Sequence, residues 1–353
     1  MSNLTSDYDY ELPPDRIAQR PAPERDASRL LVLPRRDGEI SHRVFRDLPE
    51  VLLPGDLLVA NDAAVVPARL LGRRASGGKV ALLVVRSLPS GRAEVLLRSG
   101  RRPKLGEELA LESGSEGPVP ARVDRDLGDG RWVLALGGGW TLDRMLADRG
   151  RAPLPPYIHR PDQPEAPDPL RAEDLSRYQT VYARVPGAIA APTAGLHFTA
   201  AVLSRLAAKS IEVAFLTLQV GEGTFRPITA ERIDRHDVLP EEYEIPESTA
   251  RAATRALAEG RRIIAVGTTA CRALETATEG GAVRAGRGLT RLFIREPHEF
   301  RAARGLLTNF HLPRSSLLVL VAAFAGRERV LSAYREAVRE GYRFYSYGDA
   351  MLI

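Results

Sequence analysis

Arg262-Ile263-Ile264-Ala265-Val266-Gly267-Thr268-Thr269-Ala270-Cys271-Arg272-Ala273-Leu274 is the stretch on which the fold turns. Ile263 to Val266 is a continuous apolar run, as expected of a parallel strand buried on both faces. Gly267 ends it, and Thr269 to Ala277 reads as a helix. The junction places free backbone N–H groups and two hydroxyls at a helix start, where an anion gains from the helix dipole. A phosphate and an amino-acid carboxylate fit equally, and a plain threonine N-cap needs neither. Outward from here the chain alternates strand and helix: Ile211 to Val220 as strand, Glu247 to Glu259 as helix, and Leu317 to Phe324 as a second buried strand. Val330, Leu331, Tyr334, Ala337 and Val338 share one helical face, and Gly341 stops that helix. Leu30 to Leu33 and Asp56 to Ala60 supply further strands of the same sheet.

Between these parts the texture changes. Val80 to Val85, Ala93 to Leu97, Glu108 to Leu111, Val119 to Val123 and Trp132 to Leu136 are short apolar stretches, each bounded by turn residues such as Gly77-Gly78, Gly100 and Asp129-Gly130. Turns recurring about every dozen residues suit a small antiparallel barrel, at about 66 to 140. The prolines crowded between Pro153 and Pro169 rule out helix or central strand, so that stretch is expected to be an extended connector. The expected fold is therefore α/β: a discontinuous α/β/α sandwich of residues 1–65 and 151–353, with a β-barrel domain of residues 66–150 inserted.

With 353 residues and 44% hydrophobic content the chain can build packed cores. The formal charge of +5 is compatible with an acidic partner such as RNA, although only three of the 50 basic residues are lysine and no like-charge block stands out. The longest apolar run, Leu317 to Ala325, is far short of the roughly 20 residues of a membrane span. The first residues lack a signal-peptide pattern, so a cytoplasmic location is expected. Cys271 is the only cysteine, which excludes an internal disulfide. Neither HExxH nor CxxC spacing occurs, nor does a Walker or Gly-x-Gly-x-x-Gly fingerprint, so no metal is expected.

Two loops carry the candidate chemistry. In Pro186-Gly187-Ala188-Ile189-Ala190-Ala191-Pro192-Thr193-Ala194-Gly195-Leu196-His197-Phe198 a histidine ends a small-residue loop before a helix that Thr199 can cap. Thr308-Asn309-Phe310-His311-Leu312-Pro313 repeats the arrangement. His197 and His311 are the candidate acid and base, because imidazole titrates nearest neutral pH. Val220-Gly221-Glu222-Gly223-Thr224-Phe225 is a further glycine-bracketed loop, in which Glu222 is a candidate ligand-facing carboxylate. His236 opens a polar run ending in Glu241, Glu242 and Glu244, at the mouth of a site or on plain surface.

Together with Pro23-Glu24-Arg25, Pro54-Gly55-Asp56-Leu57-Leu58, Val66-Pro67-Ala68-Arg69-Leu70, Pro153-Leu154-Pro155-Pro156-Tyr157-Ile158 and Tyr345-Ser346-Tyr347-Gly348-Asp349-Ala350-Met351, these motifs resemble the S-adenosylmethionine:tRNA ribosyltransferase-isomerase family of queuosine biosynthesis, across nearly the whole chain. The resemblance implies S-adenosylmethionine as co-substrate, tRNA as partner and transfer of a ribosyl group onto 7-aminomethyl-7-deazaguanine, giving epoxyqueuosine. On that reading His197 and His311 share the proton transfers and Gly267, Thr268 and Thr269 hold the methionine carboxylate or a nearby polar group. Tyr178, Gln179 and Phe310 contact adenine or ribose, with Thr193, Gly195, Glu222 and Asn309 also in the substrate site. A monomer is expected.

Four places depart from the family pattern. Asn61-Asp62-Ala63-Ala64-Val65 stands where the family reads Asn-Asn-Thr-Arg-Val, and Gln219 and Leu239 each stand where a histidine is usual. Arg295-Glu296-Pro297-His298 replaces a Tyr-Pro-Gly-Phe stretch. These imply altered substrate recognition, which leaves two rival readings: the same chemistry on a free small molecule, and a non-catalytic RNA-binding protein using the barrel.

Overall fold

The computed structural model describes residues 3–35, 38–112, 116–161, 168–221 and 228–353. Ile263–Val266 is a strand with every residue buried, hydrogen-bonded in parallel on both sides, to Leu57–Asn61 and to Gly305–Asn309. Having two parallel neighbours is what its unbroken apolar composition requires, because neither face meets water. Glu212–Leu218 extends the parallel centre beyond Leu57–Asn61. The sheet has nine strands, in the order Gly286–Thr290, Glu241–Ile245, Glu212–Leu218, Leu57–Asn61, Ile263–Val266, Gly305–Asn309, Ala350–Leu352, Arg29–Val32 and Ser41–Val44. Its outer pairings are antiparallel at both ends.

One face of this sheet carries a core in which Leu58, Ala60, Ile264, Val266 and Leu307 meet Phe45, Phe198, Val202 and Leu206. Val202 and Leu206 belong to helix Ala200–Ala208, whose Thr199 hydroxyl accepts from the Val202 N–H as the sequence suggested. Leu317 to Phe324 is a correction: it is no strand but part of helix Ser316–Ala325, capped by the Ser315 hydroxyl. The run is apolar on all sides because the helix is buried among its neighbours, and an apolar stretch of this length fits either element until packing is known. Helix Arg327–Arg339 packs against it.

By its internal contacts the chain divides into Met1–Ala64 with Gln179–Ile353, and Val65–Tyr178. The second unit is built on a closed barrel whose strands run Arg131–Leu136, Arg92–Ser99, Lys79–Leu88, Arg69–Arg74, Glu108–Leu111 and Val119–Gly128. Lys79–Leu88 and Val119–Gly128 start by alternating buried and open residues, the period-two pattern of a strand with one face to a core. Residues 151–178, which the sequence reading grouped with the α/β part, cluster with the barrel. Arg151 explains why: it forms a two-pronged ion pair with buried Glu112, and it bridges Arg69 through backbone hydrogen bonds.

Candidate active site

In a parallel sheet the loops leaving the carboxyl ends of neighbouring strands converge, and ligand sites form there. Here those ends are Asn61, the Gly267 turn, and Asn309 to His311. Gly267 adopts φ +92°, a left-handed conformation that suits glycine, and its N–H reaches the Leu307 carbonyl at 2.7 Å. Asn61 Nδ2 donates to the Leu218 carbonyl at 2.9 Å and approaches Thr269 Oγ1 at 3.4 Å.

His197 is pinned across this end of the sheet. Asn309 Nδ2 donates to the Tyr345 carbonyl (3.3 Å), which fixes the amide's orientation, so its 3.1 Å contact with His197 Nε2 is also a donation. The opposite ring nitrogen, Nδ1, lies 2.7 Å from Ser28 Oγ, and that hydroxyl already donates to the Arg25 carbonyl. The proton therefore sits on Nδ1 and the ring is neutral. Burial, helped by Arg343 and Arg25, lowers its pKa to about 3. The Phe45 ring lies against it with centroids 5.0 Å apart. His311 is tied to the same strand end: its Nε2 is 2.8 Å from Thr308 Oγ1, and burial alone takes its pKa to about 3. Its backbone N–H donates to Tyr334 Oη, and its carbonyl accepts from Tyr10 Oη.

Around these rings the loops are tightly filled. A Cβ on Gly195 would lie 2.1 Å from Tyr182 Oη and 2.8 Å from Thr180 Cγ2, so this glycine is required by close packing of the loop on itself. Thr193 and Gln179 are half-buried and Asn309 is buried. Phe310 is fully enclosed, its ring 5.2 Å from Tyr334 and 5.0 Å from Phe344. Tyr178 is buried and belongs to the barrel unit, while Glu222 lies outside the described residues.

Beside the Gly267 turn opens a cavity of about 480 Å³, lined by Thr268, Thr269, Arg272, His236, Glu241 and Phe293 among others. Neither His197 nor His311 lines it. Sequence reasoning passed over Arg272, whereas His236 and Glu241 belong to the polar run read as the mouth of a site or plain surface. His236 packs edge-on to Phe293, and partial burial holds its pKa below the usual histidine value. Arg272 stands one helical turn after Thr268, and that four-residue spacing, which stacks the two on one helix face, was the available signal. Of the four departures, only Leu239 lines this cavity among the described residues. Gln219 rests over Gly187, and His298 faces Glu275 at 3.5 Å. Asp62 is buried, accepting from Thr217 Oγ1 and pairing with Arg184, both at 2.6 Å. No group of three metal-ligating side chains occurs among the described residues.

Comparison with known proteins agrees with this architecture. The profile of the family described as queuosine biosynthesis protein matches residues 5–353. The S-adenosylmethionine:tRNA ribosyltransferase-isomerase of an Anaeromyxobacter species is 51% identical, over 99% of this chain and 98% of its own. The enzyme of that name from Thermus thermophilus is 52% identical, over 98% of each. The crystal structure of the S-adenosylmethionine tRNA ribosyltransferase from Thermotoga maritima superposes with a TM-score of 0.55 at 38% identity, covering 99% of this chain and 100% of that one. The chain belongs to the queuosine biosynthesis protein family.

Proposed function

We propose that this protein is an S-adenosylmethionine:tRNA ribosyltransferase-isomerase. It moves the ribosyl part of S-adenosylmethionine onto 7-aminomethyl-7-deazaguanine in tRNA, giving epoxyqueuosine and releasing adenine and methionine. The observation that carries this is the full-length likeness to enzymes of that name, 51% identical over 99% of the chain. With tRNA as substrate the protein acts in the cytoplasm. No helix among the described residues is long and apolar enough to cross a membrane.

The chemistry fixes what the site must supply. A sulfonium acidifies the adjacent ribose C5′–H, and a base removes that proton to form an ylide. Ring opening expels adenine, which needs a proton. The aminomethyl nitrogen then attacks, and closure of the epoxide expels methionine. We assign the proton transfers to His197 and His311. Both are neutral at pH 7, since their pKa values are lowered to about 3. Either one that takes the C5′ proton becomes an imidazolium, able to pass a proton to the departing adenine. To meet the substrate, His197 Nε2 must give up Asn309.

The test is adenine release from S-adenosylmethionine with tRNA that carries the precursor base. Substituting alanine at His197 or His311 should slow release about 100-fold or more. Turnover within a few-fold of normal in both variants refutes the assignment of the histidines. Absence of adenine with the unaltered protein refutes the function.

A further inference from the structure

We infer that the cavity beside the Gly267 turn receives the amino-acid end of S-adenosylmethionine, and that Arg272 is a substrate-binding residue for its α-carboxylate. This rests on the function proposed above. The helix start supplies half of the case. Helix Thr268–Ala277 is ten residues long, and its N-cap, Gly267, has no side chain to satisfy the leading N–H groups.

Arg272 supplies the other half independently. It is only 9% exposed and lines the same cavity. Its Nε donates to the Leu292 carbonyl at 2.9 Å and its Nη1 pairs with Glu241. Nη2 is buried with no partner among the described residues. An unspent buried guanidinium N–H is costly, and the groups that satisfy it best are carboxylate and phosphate oxygens. The cavity's volume of about 480 Å³ suits a small ligand.

Neighbouring charge decides between the two anions. Glu241 and Asp237 line the same cavity with Arg235 and Arg272, so the lining is balanced in charge and matches a group of balanced charge better than a phosphodiester. An amino-acid zwitterion is such a group, because it presents its ammonium to Glu241 and Asp237 while its carboxylate faces Arg272 and the helix start. Phe293, Leu317 and Leu320 give an apolar wall for the methylene chain.

The experiment is calorimetric binding of two nucleosides to the full chain. S-adenosylhomocysteine has the amino-acid end, and 5′-methylthioadenosine lacks it. The unaltered protein should prefer the former by about 10-fold or more, the effect of one charge-assisted hydrogen bond. Arg272→Lys keeps a positive charge for Glu241 but loses the second arm, so the preference should fall toward unity with 5′-methylthioadenosine binding unchanged. Should that variant not fold, Arg272→Gln, which keeps a neutral N–H donor for the Leu292 carbonyl, reads the same ratio. An unchanged ratio overturns the inference and leaves the proposed function standing. An unchanged ratio with weakened tRNA binding assigns the subsite to a phosphate and also overturns it. If neither nucleoside binds the unaltered protein, the inference is overturned, while the proposed function is judged separately by adenine release.

Discussion

Acidification from pH 7.5 to 5 should destabilise this protein through His197 and His311. His197 and His311 are neutral when folded, with pKa values lowered from 6.5 to about 3. Unfolded, each would titrate at its ordinary value. A group whose folded pKa is depressed gives stability that is complete above its unfolded pKa and is lost as pH falls, here from about 6.5 down to about 3. At pH 5 the unfolded chain lies 1.5 units below that upper limit, so each ring costs about 2 kcal/mol, and the pair about 4 kcal/mol. That is a large share of the roughly 5–15 kcal/mol holding a typical domain together. Urea midpoints at pH 7.5, 6.5, 5.5 and 5 read the effect, provided the slope with urea stays constant. His197→Asn and His311→Gln should each flatten the profile by about half. A flat profile in the unaltered protein, or an imidazole of either residue titrating near 6.5 by NMR, would refute the reasoning.

Other substitutions probe the packing of the same region. Gly195→Ala forces a methyl against Tyr182 Oη and Thr180 and should destabilise by about 1–3 kcal/mol, with Tyr182→Phe restoring part of the loss. A neutral urea midpoint for Gly195→Ala would show that the loop relaxes freely. Burial pushes the Glu275 carboxyl upward, but His298 and the N–H groups of Arg301, Ala302 and Ala303 outweigh it and hold the pKa below 4.5. Its stabilisation is therefore present above 4.5 and lost as pH falls further. Glu275→Gln should cost about 1–3 kcal/mol at pH 7 and flatten the loss between pH 5 and 3, measured the same way.

Much of the architecture was legible because strong local patterns matched tertiary burial. Ile263 to Val266 has the composition of a doubly buried strand and is one, and the spacing of turns around Val80 to Leu136 announced a barrel. Arg69–Arg74 closes that barrel without having been read as a strand, since its apolar residues are interrupted by Gly72 and followed by two arginines. Ser316–Ala325 misled because a largely buried helix lacks the polar face that marks its period.

The site was less legible than the fold. Residue types located the converging loops, and Asn309 does reach His197. Which rings are enclosed and which face open space depends on contacts more than a hundred residues apart, such as Ser28 with His197. Sequence spacing carries no information about those. Arg272 lines the cavity because a loop and a helix meet there, although its own sequence neighbourhood does not mark it as a ligand-facing group.

A crystal structure with S-adenosylhomocysteine shows directly where the sulfonium nucleoside binds. The prediction is a carboxylate between Arg272 Nη2 and the N–H groups at the start of helix Thr268–Ala277, with its ammonium toward Glu241 and Asp237. A nucleoside bound elsewhere, with Arg272 Nη2 still unpartnered, would contradict it.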